Sequence, residues 1–222
     1  MSQNLSVREL AEFVCRSGDL YSRAEGRRID ALDGIRAQEV LRERRKNKYT
    51  QYSSEVAFKH DFTLANEETT LSGRADGLLI TQKGCVLEEY KACGKFPVQP
   101  NQVDVGQLMI YGAMLAMRSE LSIAALKLIY VEADTFEEKC FSYEFDNSEL
   151  KQILAFMLLC FELRRRRHWH RTAERHSWLA HKKFPYPDFR FGQRALAGRV
   201  YKAVENRERL LIESPTGSGK TM

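Results

Sequence analysis

Asp76, Glu89 and Lys91 are the residues of this chain whose types and spacing best suit chemistry. They lie in "SGRADGLLITQKGCVLEEYKACG" (Ser72 to Gly94), two apolar stretches joined by the turn "TQKG". Alternate residues of a strand share a face, so Glu89 and Lys91 stand side by side, and the preceding strand can bring Asp76 against them. The charges form either a solvated face or a convergent site. Two carboxylates on adjacent strand ends make a hard oxygen cage suited to Mg²⁺, and a lysine beside them can stabilise charge developing on a phosphate. Such parts suit phosphodiester hydrolysis. Acid-x-lysine pairs recur at Glu137–Lys139 and Glu149–Lys151, but neither follows an aspartate-bearing strand across a short turn.

The elements that must hold these groups follow from hydrophobic periodicity. Val7 to Cys15 and Ala31 to Arg45 read as helices, the second strongly basic at its end. From Tyr52, Val56, Phe58, Phe62 and Leu64 alternate as in a half-buried strand, with His60 a structural histidine on the same face. A polar turn, "ANEETT", leads to a strand "LSGRADGLLI", and "CVLEEYKACG" returns. Val103 to Met117 has helical spacing, and "SIAALKLIYVEA" and "EKCFSYEF" alternate as strands. Asp146 and Glu149 form a capping box for a long helix from Asn147, with a buried stripe of Leu150, Ile153, Leu154, Met157 and Phe161. The order describes one α/β domain ending near residue 180, with Pro185 and Pro187 marking a boundary.

"GRADG", "EEYK" and "GQLMIY", in that order, resemble the PD-(D/E)xK nucleases of the RecB type. Those carry an aspartate on one strand, an acid-x-lysine on the next and a Gln-xxx-Tyr on the following helix. The resemblance implies a restriction-endonuclease-like mixed sheet flanked by helices, with DNA as substrate. It implies that Asp76, Glu89 and the Tyr90 carbonyl hold Mg²⁺ or Mn²⁺ and that Lys91 is catalytic. Gln107 and Tyr111, one helical turn apart, would contact DNA or position the site. The pattern departs at "GIRAQE", where Gln38 follows Gly34 by four residues in the place commonly held by histidine. Glutamine is a poorer metal ligand than neutral imidazole. Glu39 or Glu55 could compensate, although surface positions are expected for both. The alternative is a catalytically silent nuclease-fold module that binds DNA.

"LLIESPTGSGKTM" joins an expected strand, Leu210 to Ile212, to a segment that resembles the phosphate-binding loop. Backbone amides of Thr216, Gly217, Ser218 and Gly219 would face phosphate oxygens, Lys220 would reach the terminal phosphates, and Thr221 would hold Mg²⁺. Ser214 replaces the usual first glycine. "FPYPDFRFGQ" resembles the opening of DinG-type superfamily-two helicases, with Arg190 and Gln193 in an adenine-reading motif. The resemblance implies a nuclease-like domain at residues 1–180 and, at 181–222, the truncated start of a helicase ATP-binding domain. ATP would serve the intact parent; this chain is expected to bind it weakly and not to hydrolyse it.

The 222 residues are 43% hydrophobic and 29% charged, a soluble globular composition without an apolar run long enough to cross a bilayer. The N-terminus has no signal-peptide core, so a cytoplasmic location is expected. Five scattered cysteines without a CxxC pair support neither a zinc site nor a disulfide framework and are expected as reduced, mostly buried thiols. The net charge of +5 concentrates in "RERRKNK" and "RRRRHWHR", which suit a polyanion such as DNA. Trp169, at the end of an apolar helix, is expected to pack.

Overall fold

The computed structural model describes residues 3–17, 29–64, 67–118, 122–181 and 187–213. Its elements are β1 (Gln3–Ser6), α1 (Val7–Cys15), α2 (Ala31–Lys48), β2 (Tyr52–Leu64), β3 (Glu67–Thr81), β4 (Gly84–Cys93), α3 (Gln102–Arg118), β5 (Ile123–Glu132), β6 (Glu138–Tyr143), α4 (Asn147–His181) and α5 (Gln193–Glu205). Two compact units, Met1–His170 and Arg171–Met222, make up the chain.

The first unit is built on one mixed six-stranded sheet in the order β1-β3-β4-β5-β6, with β2 on β3. β2, β3 and β4 are antiparallel neighbours, as the short turn at residues 82–83 requires. β4 and β5 are parallel, a pairing that needs a crossover, and α3 supplies it. β1 was not expected from the polar opening of the chain. It pairs parallel with residues 69–72 of β3, and its Leu5 side chain is fully buried. β3 likewise begins at Glu67, inside the expected polar turn, because Thr69 is buried and the β2 ladder continues past it.

β3 has a feature that prepares the site. On the edge away from β2 it pairs with β1 up to Ser72 and with β4 only from Gly77 onward. Residues 73–76 lie in the fork between these two partners. Backbone groups at such a fork must find partners other than a strand.

Layers of helix cover both faces. α1, α3 and the first half of α4 enclose the main core, with Leu10, Leu108, Leu115, Leu150, Leu154 and Phe161 packed on Leu71, Leu87, Leu126 and Leu128. On the other side Ala37 and Leu41 of α2 meet Tyr90, Ile129 and Val131. The expected capping box of α4 forms: Glu149 N–H donates to Asp146 Oδ1 (2.7 Å) and Asp146 N–H to Glu149 Oε2 (3.0 Å).

In the second unit, Gly192 (φ +79°) precedes α5, and Gln193 Oε1 accepts the Arg190 backbone N–H at 2.9 Å. Leu210–Ile212, expected as a strand, is irregular and pairs with no strand among the described residues. A three-residue apolar stretch without a neighbour to take its backbone hydrogen bonds has no reason to extend into a sheet. The phosphate-loop residues Thr216, Gly217, Ser218, Gly219, Lys220 and Thr221 lie outside the described residues.

The cysteines are free, as expected, but only Cys85 is buried; Cys15, Cys93 and Cys160 are half-buried and Cys140 is exposed. Trp169 does not pack into the core: it is 54% exposed, with the Arg165 guanidinium 5.2 Å from its ring centroid. Among the described residues, no helix is long and apolar enough to cross a membrane.

Candidate active site

The fork in the sheet brings Asp76, Glu89 and Lys91 together. The β3–β4 ladder ends at Gly77 opposite Glu88, so Asp76 and Glu89 occupy the next step. There the strand carbonyl is replaced by a side chain: Tyr90 N–H donates to Asp76 Oδ2 at 2.9 Å. The other carboxylate oxygen, Oδ1, accepts from Arg42 Nη2 at 2.8 Å.

Glu89 is 3% exposed. Its Oε1 accepts from Lys91 Nζ at 2.8 Å, whereas Oε2 is buried and has no hydrogen-bond partner. Burial pushes the Glu89 carboxyl up to about 7; Lys91 opposes the rise and the Asp76 charge adds to it. Burial acts against the Lys91 ammonium, but the Glu89 and Asp104 charges outweigh it and leave its pKa raised. Lys91 is therefore a fixed cation, with a second bond to Gln107 Oε1 at 2.9 Å and Asp104 Oδ1 3.8 Å away.

α3 supplies the supports. Gln107 is 8% exposed and holds Lys91; Tyr111, a turn later, is also buried and accepts the Arg74 N–H at 3.0 Å. That bond serves one of the fork amides left without a strand. Gly73 makes the approach possible, since a Cβ there would meet the Tyr111 hydroxyl at 2.7 Å. Both residues are thus positioned to support the site from beneath. Asp104 is fixed by Tyr130, whose hydroxyl donates to Oδ2 at 2.8 Å.

α2 reaches the site from the opposite face. Gln38 Nε2 donates to the Tyr90 carbonyl at 3.1 Å, so Gln38 engages the very oxygen expected as a third metal ligand. Arg42 lies one turn later and contacts Asp76 Oδ1 and, at 3.2 Å, Glu55 Oε1. Arg45 binds Glu88 Oε2 (3.1 Å) and Glu138 Oε2 (2.6 Å). Glu88 in turn accepts from the Tyr90 hydroxyl at 2.6 Å, and the Tyr52 and Tyr90 hydroxyls are 2.8 Å apart. Burial and the adjacent Glu88 charge raise the Tyr90 pKa, keeping the phenol protonated as a donor.

Arg42, Arg44 and Arg45 therefore pair with acids of this chain, while Arg44 and Lys46 of the same run stay about half exposed. The signal was the helical spacing of Gln38, Arg42 and Arg45 along the buried line of Ala37 and Leu41. Within the second run, Arg164 lies over Phe13, Arg165 bonds Glu67 and Arg166 pairs with Glu162. Glu39 and Glu55 are both exposed, as expected, and Glu55 also lies at the rim of the site beside Arg42.

The donors fit a hard divalent cation. Among the described residues no three His, Cys, Asp or Glu side chains gather about one point. Asp76, Glu89 and the Tyr90 carbonyl are nevertheless neighbours by register, and the orphaned Glu89 Oε2 is a buried anionic lone pair without a donor. Such an atom is costly unless a cation or proton meets it.

No family model matches the chain. It is 42% identical over 40 residues to a probable ATP-dependent helicase of Methanocaldococcus jannaschii, a stretch covering 18% of this chain and 6% of that protein. The chain thus matches only a small part of that curated relative's length. Among solved structures, it is similar to SSO0001 (TM-score 0.47, 16% identity), over 71% of this chain and 76% of that one. It is also similar to LHK-Exo, solved in complex with dAMP (TM-score 0.43, 14% identity), over 77% and 93% of the two chains.

Proposed function

We propose that this protein is a metal-dependent DNA nuclease, with residues 1–180 as the nuclease domain of a helicase–nuclease that uses ATP. The observation that carries the proposal is the convergence of Asp76, Glu89 and Lys91 at the sheet fork, with Glu89 Oε2 buried and unpartnered. Asp76, Glu89 and the Tyr90 carbonyl would hold Mg²⁺ or Mn²⁺, which supplies Lewis-acid stabilisation for phosphodiester hydrolysis.

The chain's own groups act around that centre. Lys91, kept charged by Glu89 and fixed by Gln107, offers a preorganised cation to the negative charge that builds on a phosphate. Gln107 sets the direction of the ammonium, and Tyr111 keeps β3 in place through Arg74. Asp76 ties the Tyr90 backbone to β3 and so fixes two of the three ligands relative to each other.

The helicase half of the proposal is supported by "SPTGSGKT", by Arg190 and Gln193, and by the 40-residue likeness to a probable helicase. Gln193 and residues Thr216 to Thr221 would contact ATP. A DNA-binding module without cleavage is supported by one pair of contacts: Gln38 on the Tyr90 carbonyl and Arg42 on Asp76.

Cleavage of labelled linear single- and double-stranded DNA in Mg²⁺, Mn²⁺ or EDTA decides between them. Metal-dependent products that vanish with Asp76→Asn and Lys91→Met are expected. DNA binding without any cleavage in either metal would instead establish the silent module.

A further inference from the structure

Glu55 of β2 and Asp76 of β3 lie between the paired steps Ser54–Gly77 and Val56–Ala75, where the ladder is interrupted, and one arginine, Arg42, contacts both. Like charges on adjacent strands repel. Glu55 also has φ +54°, a left-handed conformation that a residue with a side chain adopts only at a cost, and such strain gathers at functional sites. Arg42 lies between the two acids, with Nη2 2.8 Å from Asp76 Oδ1 and Nη1 3.2 Å from Glu55 Oε1. Its Nε is buried without a partner, so these two carboxylates are what hold the guanidinium. Tyr90 N–H already occupies Asp76 Oδ2, and Arg42 takes the remaining oxygen.

We propose that Arg42 is a positioning residue that guards the cation-facing oxygen of Asp76, and that Glu55 is the partner that receives it when a divalent ion enters. The Arg42–Glu55 pair then sets the metal affinity of the site. This rests on Asp76 and Glu89 being cation ligands. A guanidinium on Asp76 neutralises that carboxylate and competes for its lone pairs. Glu55 is already in contact with the same guanidinium and lies at the more exposed end of the bridge, with its side chain 42% exposed against 15% for Asp76. Release from Asp76 therefore leaves Arg42 paired rather than stranded.

Mn²⁺ binding to the full chain, measured by calorimetry without DNA, tests the pair, with thermal melts in EDTA to verify folding. Arg42→Met keeps the length and apolar stem but removes the competitor, and should tighten Mn²⁺ about tenfold. Glu55→Gln removes the receiving charge and should weaken Mn²⁺ by roughly threefold to tenfold. In the Arg42→Met background, Glu55→Gln should change binding by less than about twofold, since additivity fails only for coupled neighbours.

Weaker binding in both single variants would mean that Arg42 merely orients Asp76, and would overturn the proposal. A Glu55→Gln loss undiminished in the Arg42→Met background would also overturn it, because Glu55 would then act alone. If Arg42→Met fails to fold, Arg42→Gln carries the same expected sign. Wild-type protein that binds no Mn²⁺, or binds it equally well with Asp76→Asn, would remove the metal site itself. That outcome is distinct from a site that binds metal but ignores Arg42.

Discussion

The carboxylate of Asp76 accepts the backbone N–H of Tyr90 at 2.9 Å, continuing with a side chain the ladder that β3 and β4 leave at Gly77 and Glu88. One residue thus serves both the fold and the proposed chemistry, and the two roles can be separated by choice of substitution.

Asp76→Asn keeps an acceptor for Tyr90 N–H but loses the charge that a divalent ion needs. Its melting behaviour should stay within about 1 kcal/mol of wild type, while metal-dependent DNA cleavage falls at least about 100-fold. Asp76→Ala also abandons the Tyr90 amide and one of the two carboxylates on Arg42. It should cost roughly 2–3 kcal/mol in urea unfolding in addition to the activity. Equal stability losses in both variants would show that the Tyr90 bond contributes nothing separable from the charge.

Glu89 gives a pH signature that needs no substrate. Its carboxyl is raised to about 7 in the fold against an ordinary value of 4.5, burial being the main cause. The folded state therefore binds this proton more tightly than the unfolded chain does. The stability that results is fully present below pH 4.5 and is lost as pH rises through about 7. Glu89→Gln cannot titrate, so in EDTA the wild-type minus variant difference should drift against the wild type across that window, by up to about 3 kcal/mol. Urea midpoints at pH 4.5, 6 and 7.5 measure it; a pH-independent difference would show that folding leaves the Glu89 carboxyl unshifted.

Lys91 and Gln107 form a cation and its guide, and their substitutions should differ in kind. Lys91→Met removes the charge bonded to the buried Glu89 oxygen and should lower the cleavage rate by about 100-fold or more. Gln107→Leu leaves the ammonium in place with one acceptor fewer, and a loss of roughly tenfold in kcat with little change in KM is expected. Single-turnover cleavage with saturating DNA separates the two. A Gln107→Leu defect confined to KM would instead assign Gln107 to substrate binding.

How far these residues could be read from the sequence depended on what each had to pair with. β2 was legible because its apolar residues alternate on the sheet, β4 because a short apolar run returns from the turn after β3, and α3 because Val105, Leu108 and Leu115 recur at helical spacing. Asp76, Glu89 and Lys91 were legible because hairpin register alone brings them together. β1 was not, since its four residues carry one buried leucine and gain their order only by parallel pairing with β3. Arg42 and Arg45 were hidden inside a charge run, where composition gives no hint that α2 turns them toward Asp76 and Glu88. Glu55 was legible only as a surface acid able to compensate for Gln38; its contact with Arg42 depends on the β2–β3 register and on its own left-handed φ.

Gly77 offers a test of how strictly the buried network on the α2 side controls the site. A Cβ there would lie 2.6 Å from the Tyr52 hydroxyl, 2.8 Å from its ring and 3.0 Å from the Tyr90 hydroxyl. Those phenols belong to the chain that runs through Glu88 to Arg45, and Gly77 adjoins Asp76. Gly77→Ala must therefore displace Tyr52 or shift β3. A loss of about 2–3 kcal/mol is expected, with cleavage reduced as Asp76 moves relative to Glu89. Tyr52→Leu in the same chain removes the ring that the new methyl group meets. It should recover part of the activity, although it leaves Tyr90 with one hydrogen bond fewer. Stability measured by urea and cleavage measured in Mn²⁺ should recover together if the tyrosine contact is the cause. Recovery of neither would place the damage in the β3 backbone, between Gly77 and the Asp76 carboxylate.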